Sequence, residues 1–308
     1  RYYRASRPSA DYVGDTGNTS GRYGNLVAEI LPQVDRDIDF RRFDNDGADG
    51  VPDSGDDDGV VDALFIILPE TPVNFYRGPA TGIANLGIGS DYLTNDVGTH
   101  SVIRVVPNQG TVQQGRTFAE AVGTVCHEFG HLLGLPDLFD TAFLRAPEPL
   151  PPARDSAGIG RWGLMGWGAL GWHGDDGPAS LSAWSRDFLG WTQTRQTHTA
   201  LERLALADIG LSGDVFVIPL AARERFLLEY RSARSSYYDR NIPGEGLLIW
   251  HDMGSSPLAS YNVDLVAADG RWRDSGSPTG RIPAPEDGED NLDFWAHDAE
   301  YTAAHRGN

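Results

Sequence analysis

His127-Glu128-Phe129-Gly130-His131-Leu132-Leu133-Gly134-Leu135-Pro136-Asp137, running on to Asp140, is the stretch around which the rest of the chain is read. If it is helical up to Leu133, His127 and His131 lie four residues apart on one face, so both imidazoles reach a single metal ion. Glu128 projects beside that ion. On a helix, this spacing is the one in which two histidines bind zinc and the glutamate serves as the base of a metal-dependent protease. Gly134 sits where helices end in a left-handed residue, and Pro136 cannot continue a helix. The chain therefore turns, and the turn brings Asp137 back as the expected third ligand. Asp140, three residues further on, is expected behind the ligands or as a cap of the turn.

The helix is expected to begin with a capping box, Thr117 with Glu120, and to turn Phe118, Val122, Val125, Phe129, Leu132 and Leu133 toward the core. Cys126, the only cysteine, precedes His127. Adjacent helical residues point about 100° apart, so it reads as an apolar filler and not as a ligand. Beyond a Pro-rich passage at 146–152 comes Arg161-Trp162-Gly163-Leu164-Met165-Gly166-Trp167-Gly168. The spacing HExxHxxGxxD followed by a methionine in a tight Gly-rich turn is the metzincin layout, with Met165 beneath the ligands.

At 308 residues the chain can bury a large core, as one domain or as two lobes. Its formal net charge is -19, and all 25 basic residues are arginine, which disfavours nucleic acid as a partner. No apolar run is long enough to span a membrane. The start, Arg1-Tyr2-Tyr3-Arg4, lacks a signal-peptide core and reads as a mature or truncated form. A single cysteine excludes an internal disulfide framework.

Residues 1–23 read as irregular, and a helix is expected from about Asn25 on the stripe Leu26, Val27, Ile30, Leu31 and Val34. The acidic loop that follows, with Asp44, Asp46, Asp49, Asp53, Asp58 and Asp62, alternates Asp with Gly. Such loops wrap oxygen ligands around Ca²⁺, although EF-hand spacing is absent and a solvated acidic loop is the plain alternative. A second acidic cluster, 286–293, is a weaker candidate. Residues 62–69 read as a strand covered on both faces, 70–99 as a Gly-rich connection, and 100–107 as a half-exposed strand with His100 at the surface. Leu181, Trp184 and Phe188 define a helix ended by Gly190. Strands around 215–219, 225–231 and 246–251 form one sheet, with Glu229 and His251 in structural roles.

Taken together, the chain resembles the immune inhibitor A group of secreted zinc metallopeptidases. The resemblance rests on Phe43-Asp44-Asn45-Asp46-Gly47, the His127–Asp140 stretch, Trp162–Gly166, Ser182–Trp191, Phe226–Arg231 and Pro243–His251, in the family's order. It implies an α+β, metzincin-like metallopeptidase, with a mixed sheet and helices above a zinc cleft and a smaller, partly β subdomain below. One domain over 1–308 is expected, divided into 1–134 with the zinc helix and 135–308 with Met165 and the β-rich part. The family carries a strand before the first helix; none is read in 1–23, so an upstream segment has been removed or the sheet is incomplete.

Zinc on His127, His131 and Asp137, Glu128 as acid/base, a protein or peptide substrate and secretion follow from the resemblance. Two other readings stand beside it: a non-catalytic calcium-dependent binding or surface module, and a zinc amidohydrolase acting on a non-peptide amide. The intact Glu128 argues against the first.

Overall fold

The computed structural model describes residues 2–13, 22–68, 82–114, 118–139, 158–172, 177–196, 204–254, 263–268 and 293–295. Asp140, Thr117, the Glu120 side chain, the Pro-rich passage and the acidic residues 286–292 lie outside the described residues. The chain divides into two compact units, Arg1–Arg116 and Thr117–Asn308.

In the first unit, α1 (Tyr23–Val34) buries Leu26, Val27, Leu31 and Val34, as the spacing predicts. Strands β1 (Leu64–Ile67), β2 (Gly82–Ile83), β3 (Tyr92–Val97), β4 (Val102–Val105) and β5 (Gly110–Gln113) follow. They form a three-stranded sheet in the order β1-β5-β2 and a separate β3-β4 pair. β1 runs parallel to β5, and β2 antiparallel to it.

Two expectations change here. β1 is not covered on both faces, since Phe65 and Ile67 are 40% and 55% exposed. Among the described residues it is an edge strand, and every second side chain points outward. The connection assigned to 70–99 contains β2 and β3. Gly110-Thr111-Val112-Gln113, to which the sequence reading assigns no element, is a strand buried along its whole length, because it is the centre of the sheet.

In the second unit, α2 (Phe118–Leu132) carries the histidines. α3 (Ala183–Phe188) is capped by Ser182, whose hydroxyl accepts from the Ser185 N–H, and the chain leaves it through Gly190 with positive φ. β6 (Gln193–Gln196), α4 (Ile209–Ser212), β7 (Asp214–Pro219), β8 (Arg225–Arg231), β9 (Gly246–Asp252) and β10 (Val263–Leu265) complete it. The strands form one five-stranded sheet, β10-β9-β8-β7-β6, antiparallel except for β6 beside β7. Its core gathers Leu138, Trp162, Met165, Trp184, Leu227, Trp250 and Phe294 into one cluster.

The expected division at 134/135 does not match the packing. α2 belongs with the residues after it, because it lies against the 3-10 turn Trp167–Leu170: a Cβ added to Gly123 would meet the Ala169 carbonyl oxygen at 1.8 Å. That close approach also overturns the expected core stripe. Phe118, Phe129 and Leu133 are 86%, 38% and 39% exposed, while Gly123, Thr124, His127, Glu128 and Gly130 are buried. The helix packs through its small and polar face. Among the described residues, no helix is long and apolar enough to cross a membrane.

Candidate active site

α2 ends in a Schellman closure: the Gly134 N–H donates to His131 O (2.9 Å) and the Leu135 N–H to Gly130 O (3.0 Å), with Gly134 at φ 90°. The closure reverses the chain. Leu138 N–H then donates to Met165 O at 2.8 Å, which fixes the strand of residues carrying Asp137. Asp137 thereby returns to the histidines, with Oδ1 3.0 Å from His127 Nε2 and 3.4 Å from His131 Nε2. The two rings stand edge to face, centroids 4.9 Å apart. One ligand atom from each of the three residues lies within 4.8 Å of the others.

Both imidazoles are held from behind. His127 Nδ1 lies 2.7 Å from Leu164 O, and His131 Nδ1 lies 2.7 Å from Leu135 O. A carbonyl only accepts, so each Nδ1 carries the proton, and in the neutral ring each Nε2 presents a lone pair. Two lone pairs and a carboxylate oxygen thus face one another, an arrangement that repels itself without a cation between them. The donor set of two imidazole nitrogens and a carboxylate oxygen suits a divalent metal.

Burial opposes a charge on His127, but the hydrogen bond and charge of Asp137 outweigh it and push His127 up to about 9. His131 rises by the same balance. Burial likewise opposes the Asp137 charge, yet the two histidines hold its carboxyl well below the usual carboxylate range.

Glu128 is buried beside them, and its charge raises both histidines. Met165 is fully buried in a turn closed by Gly166 N–H to Gly163 O (2.9 Å). Its sulphur passes under α2: a Cβ at Gly130, between the two histidines, would lie 2.5 Å from Sδ. Cys126 packs against the core, and burial raises its thiol; it is not among the converging ligand atoms.

Of the six expected calcium ligands in the first unit, the structure brings three together: ligand atoms of Asp44, Asp46 and Asp62 lie within 4.8 Å of one another. Asp44 is 1% exposed; Oδ2 accepts from Gly59 N–H (3.1 Å), and Oδ1 has no hydrogen-bond partner among the described residues. Burial, then Asp57 and Asp58, raise its pKa. Asp49, Asp53 and Asp58 are instead engaged with the backbone N–H groups of Val51, Thr99 and Val60. Asp57, not among the expected calcium ligands, braces the loop by accepting from Gly47 and Ser54 N–H. His100 is exposed and contacts Gly55 O, His251 pairs with Glu224, and Glu229 pairs with Arg231. The backbone acceptors behind the histidines, Leu164 and Leu135, have no side-chain signature from which sequence reasoning could find them.

With this geometry in view, residues 1–195 match the family described as immune inhibitor A peptidase M6, catalytic domain. The chain belongs to the immune inhibitor A, or M6, peptidase family. This is a family of metallopeptidases, in keeping with the converging donors. Similar proteins include the pre-pro-metalloprotease PrtV of Vibrio cholerae serotype O1, strains M66-2 and ATCC 39315. Each is 28% identical over 209 residues, covering 61% of this chain. The chain spans 21% of the length of those relatives. The M6 match covers the first unit and the second as far as residue 195, and it includes His127, Glu128, His131 and Asp137.

Proposed function

We propose that this M6 chain is the catalytic portion, a single metallopeptidase domain over 1–308, of a secreted zinc-dependent endopeptidase acting on proteins or peptides. His127, His131 and Asp137 would hold the zinc, in a metzincin-like arrangement with Met165 beneath. The observation that carries this reading is the pair of Nδ1–H donations to Leu164 O and Leu135 O, which aim both Nε2 lone pairs at the Asp137 carboxylate.

Zinc held by His127, His131 and Asp137 would supply a Lewis acid for the scissile carbonyl and make water a stronger acid near neutral pH. Glu128, buried next to the ligands, takes the proton from the attacking water and delivers it to the leaving amine. Asp137 supplies the negative charge that lets two neutral imidazoles share one cation. The Leu164 and Leu135 carbonyls keep both rings in the ligating tautomer. Secretion accords with the pre-pro-metalloprotease name of the Vibrio relatives. The test is cleavage of an unfolded protein by the full chain: it should stop on chelation and return with stoichiometric zinc. Hydrolysis of small amides alone, with no protein cleaved, would favour the amidohydrolase reading.

The buried, unpartnered Asp44 Oδ1 beside Asp46 and Asp62 supports a structural calcium ion in the first unit. A lone buried carboxylate oxygen is costly, and a hard cation with oxygen ligands would satisfy it.

A further inference from the structure

Behind the turn that carries Leu164 and Met165 lies a buried charge cluster that the proposed chemistry does not use, Arg231 with Glu229 and, 3.9 Å from its Nη1, Asp239. Arg231, in β8, and Glu229 are both 0% exposed, with Arg231 Nη2 donating to Glu229 Oε1 at 2.6 Å. The other arm of the fork, Nη1, donates to the backbone carbonyl of Trp162 at 2.6 Å. Trp162 is itself fully buried. Its indole N–H donates to Asp293 Oδ2 (2.8 Å), and its ring meets Phe294 and Trp172 edge-on at 4.8 and 4.7 Å. Two residues later comes Leu164, whose N–H donates to Ser180 O and whose carbonyl accepts from His127 Nδ1.

We propose that Arg231 is a positioning residue of the metal site: held by Glu229, it fixes the Trp162 carbonyl and thereby the Leu164 carbonyl that orients the His127 ring. Burying a guanidinium–carboxylate pair brings little stability compared with an apolar pair of similar volume. What an arginine adds is a rigid planar fork that ties a carboxylate and a carbonyl at fixed positions. Here the carbonyl belongs to the turn behind a ligand. Partners that orient metal-binding histidines tune metal affinity by about 10- to 100-fold. Arg231 acts one step further back, so its effect is expected near the lower figure.

This inference rests on reading His127, His131 and Asp137 as the metal site, and the experiment separates the two. Zinc release into a chelator and the visible absorption of the cobalt(II)-loaded full chain are measured for the wild type, Glu229→Leu/Arg231→Met, Arg231→Lys and His127→Ala/His131→Ala. In the folded double variant, near-UV circular dichroism should match the wild type, zinc should leave about tenfold faster, and the cobalt bands should shift and weaken. Wild-type release and bands in that folded variant would overturn the assignment. Should it not fold, Arg231→Lys decides. Its ammonium keeps the buried charge but lacks the planar fork that holds two acceptors at fixed positions, so faster release supports the proposal and wild-type release sinks it. Retention of zinc by His127→Ala/His131→Ala would instead refute the metal-site reading itself.

Discussion

His127 and Leu164 are 37 residues apart in sequence, yet the ring Nδ1–H donates to the Leu164 carbonyl at 2.7 Å. That bond decides the tautomer of the histidine and so the direction of its lone pair. It also joins the two separated motifs, the histidine helix and the methionine turn, into one structure.

Glu128→Ala should leave metal content and thermal stability close to wild type and reduce peptide hydrolysis by about 10²–10⁴-fold, the usual loss for a positioned acid–base group. Steady-state cleavage of a fluorogenic peptide, with metal analysis of the same sample, reads both. Near wild-type turnover would remove Glu128 from the chemistry.

Met165→Ala removes a fully buried side chain in contact with α2 and should cost about 2–5 kcal/mol of stability. Gly130→Ala attacks the same contact from the other side, since its Cβ would lie 2.5 Å from Met165 Sδ. Chemical denaturation measures both, and restoration of stability in the Gly130→Ala/Met165→Ala double variant relative to Gly130→Ala alone would show that they share one contact.

Stability of the metal-free protein should depend on pH in a stated direction. His127 titrates at about 9 in the fold against an ordinary 6.5, so its contribution is complete below about 6.5 and is lost as pH rises through about 9. Asp137 is held below its ordinary 3.8, so its contribution is present above that value and fades as pH falls further. With chelator present, the melting temperature should fall between pH 6.5 and 9. Bound zinc should remove that fall, because the metal replaces the proton. A chelated protein with a flat profile over this interval would contradict the geometry.

Calcium should raise the melting temperature of the full chain, and Asp44→Asn should shrink that gain. Without calcium the same substitution should be neutral or stabilising, because it removes a buried charge already opposed by Asp57 and Asp58. Scanning calorimetry with and without calcium distinguishes this from a solvated loop, for which neither protein would respond.

Much of the site was legible because its chemistry is local. The four-residue spacing of His127 and His131, with Gly134 and Pro136 after them, dictates a helix, a left-handed stop and a return, and the Asp137 contact follows from these. Met165 was legible from its glycine surroundings. Less legible were features set by what packs alongside. Gly110–Gln113 has polar strand residues and is buried only because β1 and β2 flank it. The outward face of α2 holds Phe118 and Phe129, since the turn at Ala169 fits only against Gly123. Apolar periodicity marks two faces of a helix without saying which neighbour arrives first. Arg231 reads in sequence as one more strand charge, and its tie to Trp162 is a contact over 69 residues.

X-ray absorption at the zinc edge of the zinc-loaded full chain tests the central assignment most directly. The expected result is one zinc per chain with only nitrogen and oxygen neighbours at about 2.0–2.2 Å and outer-shell scattering from two imidazoles. A sulphur neighbour at about 2.3 Å, implicating Cys126, or an unchanged spectrum in Asp137→Ala, would contradict the three-residue site.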